Sequence, residues 1–261
     1  MINYGRRVAV LLYHHVGPVR DEACRGLTVS PEAFASQIGT LAAMGHATIT
    51  PSDWVGYVKE EWDLPKHSVM ITFDDAYEDL VAHAFPVLSR HGFSATVFVP
   101  TGLIGGTIQC NPDVRSAKMR IMTAEQIAEA AAAGIDFGAH SRSHADLEKL
   151  ETSEVVDEIT GSRDDLAAII GRDVTAFAYP YGRTTPTAMK LAGDLFPACF
   201  VIENGLNDRD TPLNALRRTM VQHGDSVADV CLRARFGGSV LERMKTAARD
   251  VIGPRRRSID A

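Results

Sequence analysis

The chain has 261 residues, of which 45% are hydrophobic and 23% are charged, and its formal net charge is -6. A chain of this size can bury most of its apolar surface, so one barrel-like domain is the expected organisation. The charge balance provides no broad cationic surface, which argues against a nucleic-acid partner.

Short apolar runs alternate with helical patterns along the chain. The predicted strands are residues 8–13, 69–73, 95–99, 135–139, 175–179 and 199–202. This alternation predicts β/α units around a parallel sheet rather than a sandwich or a helical bundle.

Capping residues predict where the helices begin and end. Ser30, followed by proline and glutamate, predicts a helix that reaches about Met44. Thr123 caps an alanine-rich helix that Gly134 ends. Another helix opens at residues 152–154 and ends at Gly171, and an uncapped helical pattern covers residues 228 to about 249.

Residues 101–122 show neither helical nor strand periodicity, so we expect a long surface loop there. Long loops in compact domains are often functional. This loop is therefore a candidate for part of a substrate groove.

The cysteines and the N-terminal segment indicate the cellular compartment in which we expect the protein. Cys24, Cys110, Cys199 and Cys231 form no CxxC pair, so neither a zinc ribbon nor a redox dithiol is predicted, and we expect free thiols. The first apolar run, residues 8–13, is too short for a signal-peptide core or a membrane-spanning helix. We therefore expect a cytoplasmic protein.

Polar side chains follow four predicted strands at the point where each strand ends. These are His14 and His15, Asp74 and Asp75, His140, and Pro180 with Tyr181. Because the carboxyl ends of parallel strands share one face, we expect these side chains to meet at one active-site mouth.

Two histidines and an aspartate pair suggest a metal site. His140 and His144 are one helical turn apart, a spacing that suits two ligands on one metal. The adjacent carboxylates of Asp74 and Asp75 repel each other unless a cation offsets their charge. A helix that begins at Ala76 would also accommodate them, and each pair alone fits a structural role. Together, two imidazoles and one carboxylate are a common catalytic zinc arrangement.

Five segments, in this order, resemble the polysaccharide deacetylases that share the chitooligosaccharide-deacetylase homology domain, a family of carbohydrate esterases. They are LLYHHVG at 11–17, ITFDDAYED at 71–79, FSATVFV at 93–99, FGAHSRSH at 137–144 and FAYPYG at 177–182. The resemblance implies an α/β fold, a distorted and incomplete (β/α) barrel of about seven strands. It also implies a metal-dependent hydrolase that removes N-acetyl groups from an acetylated saccharide and releases acetate.

The resemblance assigns roles to individual residues. A divalent ion, most often zinc, with nickel, cobalt or manganese as alternatives, would be held by Asp75, His140 and His144. Asp74 matches the general base that takes a proton from the attacking water. The backbone N–H of Tyr181 matches the group that stabilises the oxyanion, and Pro180 fixes that turn.

The proton donor departs from the family pattern. His223, in MVQHGD, lacks the leucine and the spacing of the usual C-terminal motif, so a surface position is the favoured interpretation. We favour His14 as the acid, because YHHV is typical of relatives without that motif. Side chains alternate along a strand, so His15 would point the other way, either towards substrate or into a packed position.

The residue that steadies the base also departs from the pattern. Ala178 stands where many relatives carry an arginine, which leaves Arg217 and Arg218 as candidates to hold Asp74. Arg218 matches better, although either residue could be an exposed strand-end arginine. Ala76 replaces a glycine that often follows the aspartate pair, a change that an ordinary helical start would tolerate.

No repeat or linker divides the chain, so we expect one catalytic domain over 1–261 with a helical extension from about 225. The lack of an export signal favours a small or cytoplasmic precursor as substrate. Two alternatives stay open: an amidase or imidase that acts on a non-sugar substrate, and a non-catalytic carbohydrate-binding relative. A barrel of this kind is also compatible with a homodimer.

Overall fold

The computed structural model describes residues 6–110 and 117–238. In these ranges the strands are β1 Ala9–Tyr13, β2 His15–Val16, β3 Thr28–Val29, β4 Ala47–Thr48, β5 Ser68–Phe73, β6 Thr96–Val99, β7 Thr107–Gln109, β8 Lys118–Arg120, β9 Asp136–Ala139, β10 Ala176–Ala178, β11 Ala198–Phe200 and β12 Thr219–Met220. The α-helices are α1 Pro31–Ala43, α2 Pro51–Val58, α3 Leu80–His83, α4 Phe85–Arg90, α5 Ala124–Ala132, α6 Thr152–Ile170, α7 Pro186–Leu195 and α8 Val227–Phe236.

Seven strands form a curled parallel sheet in the order β11-β10-β9-β6-β5-β1-β12, and β4 pairs with the start of β5. The segment before β12 lies beside β11, where Leu216 pairs with Phe200. The sheet is an incomplete (β/α) barrel, which confirms the predicted fold. The six predicted strands are β1, β5, β6, β9, β10 and β11, while β12 was missed because two residues carry no periodicity.

Alternate residues of the sheet face two separate cores. The outer face, under helices such as α1 and α6, includes Leu11, Tyr13, Ile71, Phe73, Val97 and Val99. The inner face, closed by Trp54 of α2, includes Val10, Met70, Phe98, Ala178 and Phe200. Because side chains alternate, the residues that follow each strand inherit one of these two faces. Asp74 and His140 thus continue the inner face.

The capping signals place the predicted helices α1, α5 and α6 correctly, whereas α2, α3, α4 and α7 were not predicted. The Ser30 hydroxyl accepts from the N–H of Ala33 at 3.2 Å and begins α1. Thr123 forms a capping box at the start of α5, and α6 ends at Gly171 in a left-handed conformation. The pattern expected from residue 228 is α8, and Ser226 does cap it, contrary to the uncapped prediction. Its expected continuation to residue 249 and most of the helical extension lie outside the described residues.

The expected long loop at 101–122 is partly regular. β7 and β8 form an antiparallel hairpin in which Ile108 is opposite Met119, and both side chains are buried. The prediction of an irregular loop was therefore wrong for these residues. Three-residue strands are too short to reveal a period of two.

Cys24 and Cys110 form a disulfide, whereas Cys199 and Cys231 are free thiols. The expectation of free thiols was wrong for the first pair, which meets because the 3-10 turn Glu22–Leu27 lies beside the β7–β8 hairpin. Disulfides are rare in the cytoplasm, so the cysteines no longer support a reducing compartment. No helix among the described residues is long and apolar enough to cross a bilayer.

Candidate metal centre

A groove of about 580 Å³ opens at the carboxyl ends of the strands. Its lining includes the predicted site residues His14, Asp74, Asp75, His140, His144 and Tyr181. Ala23, Leu27, Gln109, Cys110, Asp146, Lys149 and Arg183 also line it. A larger depression of about 810 Å³ beside α7 contains none of the predicted site residues. The chemistry predicted from the sequence therefore converges in the smaller cavity.

Asp75, His140 and His144 form a cluster with the geometry of a metal site. Their ligand atoms all lie within 4.8 Å of one another. Asp75 Oδ1 is 3.1 Å from His144 Nε2 and 3.8 Å from His140 Nε2. Ligands around a tetrahedral zinc ion are about 3.3 Å apart, given bonds of about 2.0–2.2 Å. Apart from these histidine contacts, Asp75 Oδ1 is buried without a hydrogen-bond partner among the described residues. The three residues therefore fit a divalent cation.

Hydrogen bonds orient both imidazoles. His140 Nδ1 donates to the carbonyl oxygen of Ala178 at 2.7 Å, which leaves Nε2 to face Asp75. His144 Nδ1 is 3.1 Å from the hydroxyl of Tyr181, so its Nε2 also faces the carboxylate. Such bonds to the second ring nitrogen are typical of histidine metal ligands, because they fix the tautomer and the ring plane.

The loop that carries the two histidines is not helical, so the helical-turn explanation of their spacing was wrong. Ser141 and His144 both adopt positive φ angles, 61° and 59°. A left-handed conformation costs a residue with a side chain about 1–3 kcal/mol, so the surrounding structure must impose it. The two rings converge, with centroids 4.9 Å apart, because of these turns.

Asp75 and Ala76 lie in a second left-handed turn, with φ angles of 70° and 50°. The alternative that the aspartate pair begins a helix was therefore wrong, since the next helix, α3, begins at Leu80. The account of Ala76 as an ordinary helical start was wrong as well. Glycine suits such a position because it has no Cβ, which explains its frequency there in related sequences.

Arg218 holds Asp74 with two parallel hydrogen bonds, 2.6 Å from Nη1 to Oδ1 and 2.9 Å from Nη2 to Oδ2. The arginine is fully buried, and its guanidinium lies over the ring of Phe98. Burial alone would raise the pKa of Asp74, but the charge of Arg218, aided by His140, lowers it below its usual value. Arg217, the other candidate, is partly exposed and 3.5 Å from Glu203.

The three histidines considered as acids occupy different places. His14 lines the groove, its Nδ1 is buried without a hydrogen-bond partner, and burial lowers its pKa. His15 does not line the groove; its ring contacts Asp79 and lies edge-on to Tyr77. The structure thus does not bring His15 to the predicted substrate site. His223 is exposed, as expected, and it pairs with Arg25 outside the groove.

Tyr181 lines the groove from the turn Pro180–Gly182. Its φ angle is 59°, and the glycine that follows is also left-handed. Pro180 is buried. This turn begins one residue after β10, beyond Tyr179, and carries Tyr181 to the mouth of the barrel beside His144.

Comparison with known proteins decides the family. The sequence profile described as polysaccharide deacetylase matches residues 62–195, which is half of the chain. The chain belongs to the polysaccharide deacetylase family. Family membership confirms the expectation of a hydrolase that cleaves carbon–nitrogen amide bonds in carbohydrates.

Relatives of known name or structure cover most of this deacetylase-family chain. The Bacillus subtilis protein YxkH is 27% identical over 221 residues, 84% of this chain and 73% of that protein. A poly-beta-1,6-N-acetyl-D-glucosamine N-deacetylase of Staphylococcus epidermidis is 29% identical over 202 residues, 69% of this chain and 67% of that protein. The structure of the Streptococcus pyogenes deacetylase PplD in complex with acetate superposes with a TM-score of 0.77 at 25% identity, covering 88% of this chain and 98% of that chain.

Several residues that line the groove of this polysaccharide deacetylase were not predicted from the sequence. Asp146, Lys149 and Arg183 lie within five residues of a recognised motif, and that proximity was the available signal. Arg183 Nη1 donates to Asp146 Oδ2 at 2.6 Å, so the two form one polar patch. Gln109 and Cys110 belong to the segment 101–122, which was expected to contribute to a substrate groove, although no motif pointed to these two residues.

Proposed function

We propose that this chain is a metal-dependent deacetylase that hydrolyses N-acetyl groups of an N-acetylglucosamine saccharide and releases acetate. The observation that carries the proposal is the Asp74 carboxylate, held by Arg218 beside the cluster of Asp75, His140 and His144. The name of the Staphylococcus epidermidis relative, which specifies poly-beta-1,6-N-acetyl-D-glucosamine, supports the substrate class. A complex of acetate with PplD is compatible with the released product.

The metal ligands would be Asp75, His140 and His144, with zinc as the expected ion and nickel, cobalt or manganese as alternatives. Three protein ligands leave a position open, which is the arrangement of catalytic rather than structural zinc sites. When bound, such an ion polarises the acetamide carbonyl and lowers the pKa of water.

Asp74 is the proposed general base. Its Oδ2 lies 3.8 Å from His140 Nε2, so Asp74 is next to the ligand cluster but is not one of its three members. Because the lowered pKa keeps Asp74 ionised at neutral pH, its carboxylate is ready to accept a proton from the attacking water. Arg218 keeps the carboxylate in one orientation through the paired hydrogen bonds.

Tyr181 and His14 complete the proposed reaction. The Tyr181 N–H, presented by its left-handed turn, stabilises the oxyanion that forms as water attacks the acetamide. His14, which lines the same groove, donates a proton to the departing amine. Burial lowers the pKa of His14, which makes its protonated form a stronger acid but also a smaller fraction of the protein at neutral pH.

A substrate panel tests the proposal. Zinc-loaded protein is incubated with β-1,6-linked and β-1,4-linked N-acetylglucosamine oligomers, with an O-acetylated saccharide and with simple non-sugar amides, and the released acetate is measured. We expect release from at least one N-acetylglucosamine oligomer and little from the amides. Release from the amides alone would favour the amidase alternative. The homodimer, the single domain over the whole chain and the cytoplasmic location stay predictions.

A further inference from the structure

The loop from His140 to His144 needs an external support. Two of its residues, Ser141 and His144, are left-handed without being glycine, and between them Arg142 and Ser143 carry no metal-ligand atom of the cluster. The segment 140–144 contains no glycine, so its own sequence does not favour this conformation. The contacts that the loop makes with the rest of the fold must therefore determine where the two imidazoles point.

The Glu158 carboxylate of α6 binds the middle of this loop. Its Oε2 accepts from the backbone N–H groups of Arg142 and Ser143, each at 2.8 Å. Its Oε1 accepts from the hydroxyl of Ser143 at 2.6 Å. One carboxylate thus satisfies three donors between the two histidines, and hydrogen bonds to an ionised acceptor are the stronger kind.

The Arg142 side chain attaches the loop to α6 a second time. Its Nε and Nη2 donate to the two carboxylate oxygens of Asp165 at 2.9 and 3.0 Å. Gly161 makes room for the guanidinium, because a Cβ there would lie 2.3 Å from Arg142 Cζ. Asp165 also accepts from the Thr101 hydroxyl at 3.0 Å, so the segment after β6 joins the same network.

The carbonyl groups of the loop are held from the opposite side. Thr101 N–H donates to the carbonyl of Ser141 at 3.1 Å, and Gly102 N–H donates to that of Arg142 at 2.8 Å. The loop therefore lies between α6, which binds its N–H groups, and residues 101–102, which bind its carbonyl groups. Neither Glu158 nor Arg142 lines the groove formed by the described residues.

We propose that Glu158 is a positioning residue for the metal centre, which fixes the loop so that the imidazoles of His140 and His144 meet Asp75. This inference rests on the proposed metal-dependent function. Arg142 and Asp165 support the same loop, but their pair is more than a third exposed, so solvent weakens it. The larger effect is assigned to Glu158 because its carboxylate accepts from three donors of the loop, two of which are backbone N–H groups between the histidines.

The test measures zinc affinity in the absence of substrate, by competition with a chromophoric chelator. Glu158→Ala is expected to lower the affinity about 10- to 100-fold, as for other residues that orient metal ligands. Glu158→Gln keeps one acceptor oxygen and should lose less. Asp164→Asn is the matched control, since it removes a carboxylate that is 60% exposed from the same helix, and its affinity should stay within about twofold of wild type.

Circular dichroism of the metal-free variants verifies that each is folded at the temperature of the titration. If Glu158→Ala does not fold, Glu158→Gln carries the test in its place, together with Ser143→Ala, which removes the hydroxyl that donates to Glu158. Wild-type zinc affinity in the folded Glu158 variants would overturn the inference, even if acetate release were normal. Tight zinc binding by wild type that weakens in Glu158→Ala, without acetate release by either, would support the inference and contradict the proposed deacetylation.

Discussion

Arg218 donates from both terminal guanidinium nitrogens to the carboxylate of Asp74, although 144 positions separate the two residues in sequence. Arg218 lies directly before β12 and its Nε also reaches the carbonyl of Val201 at 3.3 Å, beyond the end of β11. One side chain therefore connects the proposed base with both ends of the open sheet. The position of Asp74 therefore depends on the packing of β11 and β12, the two ends of the sheet.

Arg218→Lys should lower kcat about 100-fold, because a lysine cannot form two parallel hydrogen bonds with Asp74. It should also lower the free energy of unfolding, since it perturbs a buried pair. Steady-state kinetics and urea unfolding measure the two effects. Arg217→Lys, at a partly exposed position, is the control that should leave both nearly unchanged. Full kcat in Arg218→Lys would show that Asp74 does not need this partner.

The Asp74 and Arg218 pair also predicts how stability depends on pH. Because folding lowers the pKa of Asp74, its ionisation stabilises the fold above the unfolded pKa of about 3.9. That contribution is lost as the pH falls from about 4 through the lowered folded pKa. In metal-free protein, the stability advantage of wild type over Asp74→Asn should therefore be largest near neutral pH and shrink below about pH 4. Urea unfolding at several pH values checks this, and an advantage that does not change with pH would contradict it.

His14→Ala should lower turnover of N-acetylglucosamine oligomers about 100- to 10,000-fold, because the departing amine needs a proton. The same variant should keep most of the wild-type turnover on an acetate ester with a phenolate leaving group, since that group departs without protonation. His223→Ala, at an exposed position outside the groove, should behave as wild type on both substrates. An equal loss on both substrates would mean that His14 acts otherwise than as the acid.

The disulfide joins two parts of the groove wall. Cys110 and Gln109 line the groove on the hairpin, and Ala23 and Leu27 line it on the 3-10 turn. Replacing Cys24 and Cys110 by serine should raise KM for oligomers, because the disulfide joins the two parts of this wall. Zinc affinity should stay within about twofold of wild type, because the hydrogen bonds that orient His140 and His144 come from other segments. It should also cost about 2–5 kcal/mol of stability. Cys231→Ser is the control, and an unchanged KM in the double variant would exclude a role of this wall in substrate binding.

The sequence predicted the main sheet because its strands are buried apolar runs. It also predicted that His14 and His15 diverge, since alternation along a strand is a local rule. It failed at the left-handed turns around Asp75 and His144, because the support for those turns comes from distant segments such as α6. It failed at the disulfide for the same reason, since residue spacing does not reveal which loops become neighbours.

The choice between Arg217 and Arg218 could not be made from the sequence, again because it depends on distant segments. Both residues follow the same short segment, and nothing local separates a buried arginine from an exposed one. The structure separates them because Arg218 points into the barrel, where Phe98 and Phe200 flank its guanidinium. The buried charge of Arg218 is stable because Asp74 pairs with it. That pairing forms only when the strands of the barrel are assembled.

The most direct test of a metal site formed by Asp75, His140 and His144, with Asp74 as the base, measures bound zinc and acetate release in the same samples. Wild type should bind one zinc ion and release acetate from N-acetylglucosamine oligomers. Asp74→Asn should still bind zinc but lose at least about 100-fold in turnover, whereas His144→Ala should lose zinc itself. Zinc-loaded wild type that releases no acetate, or His144→Ala that binds zinc as tightly as wild type, would contradict the account.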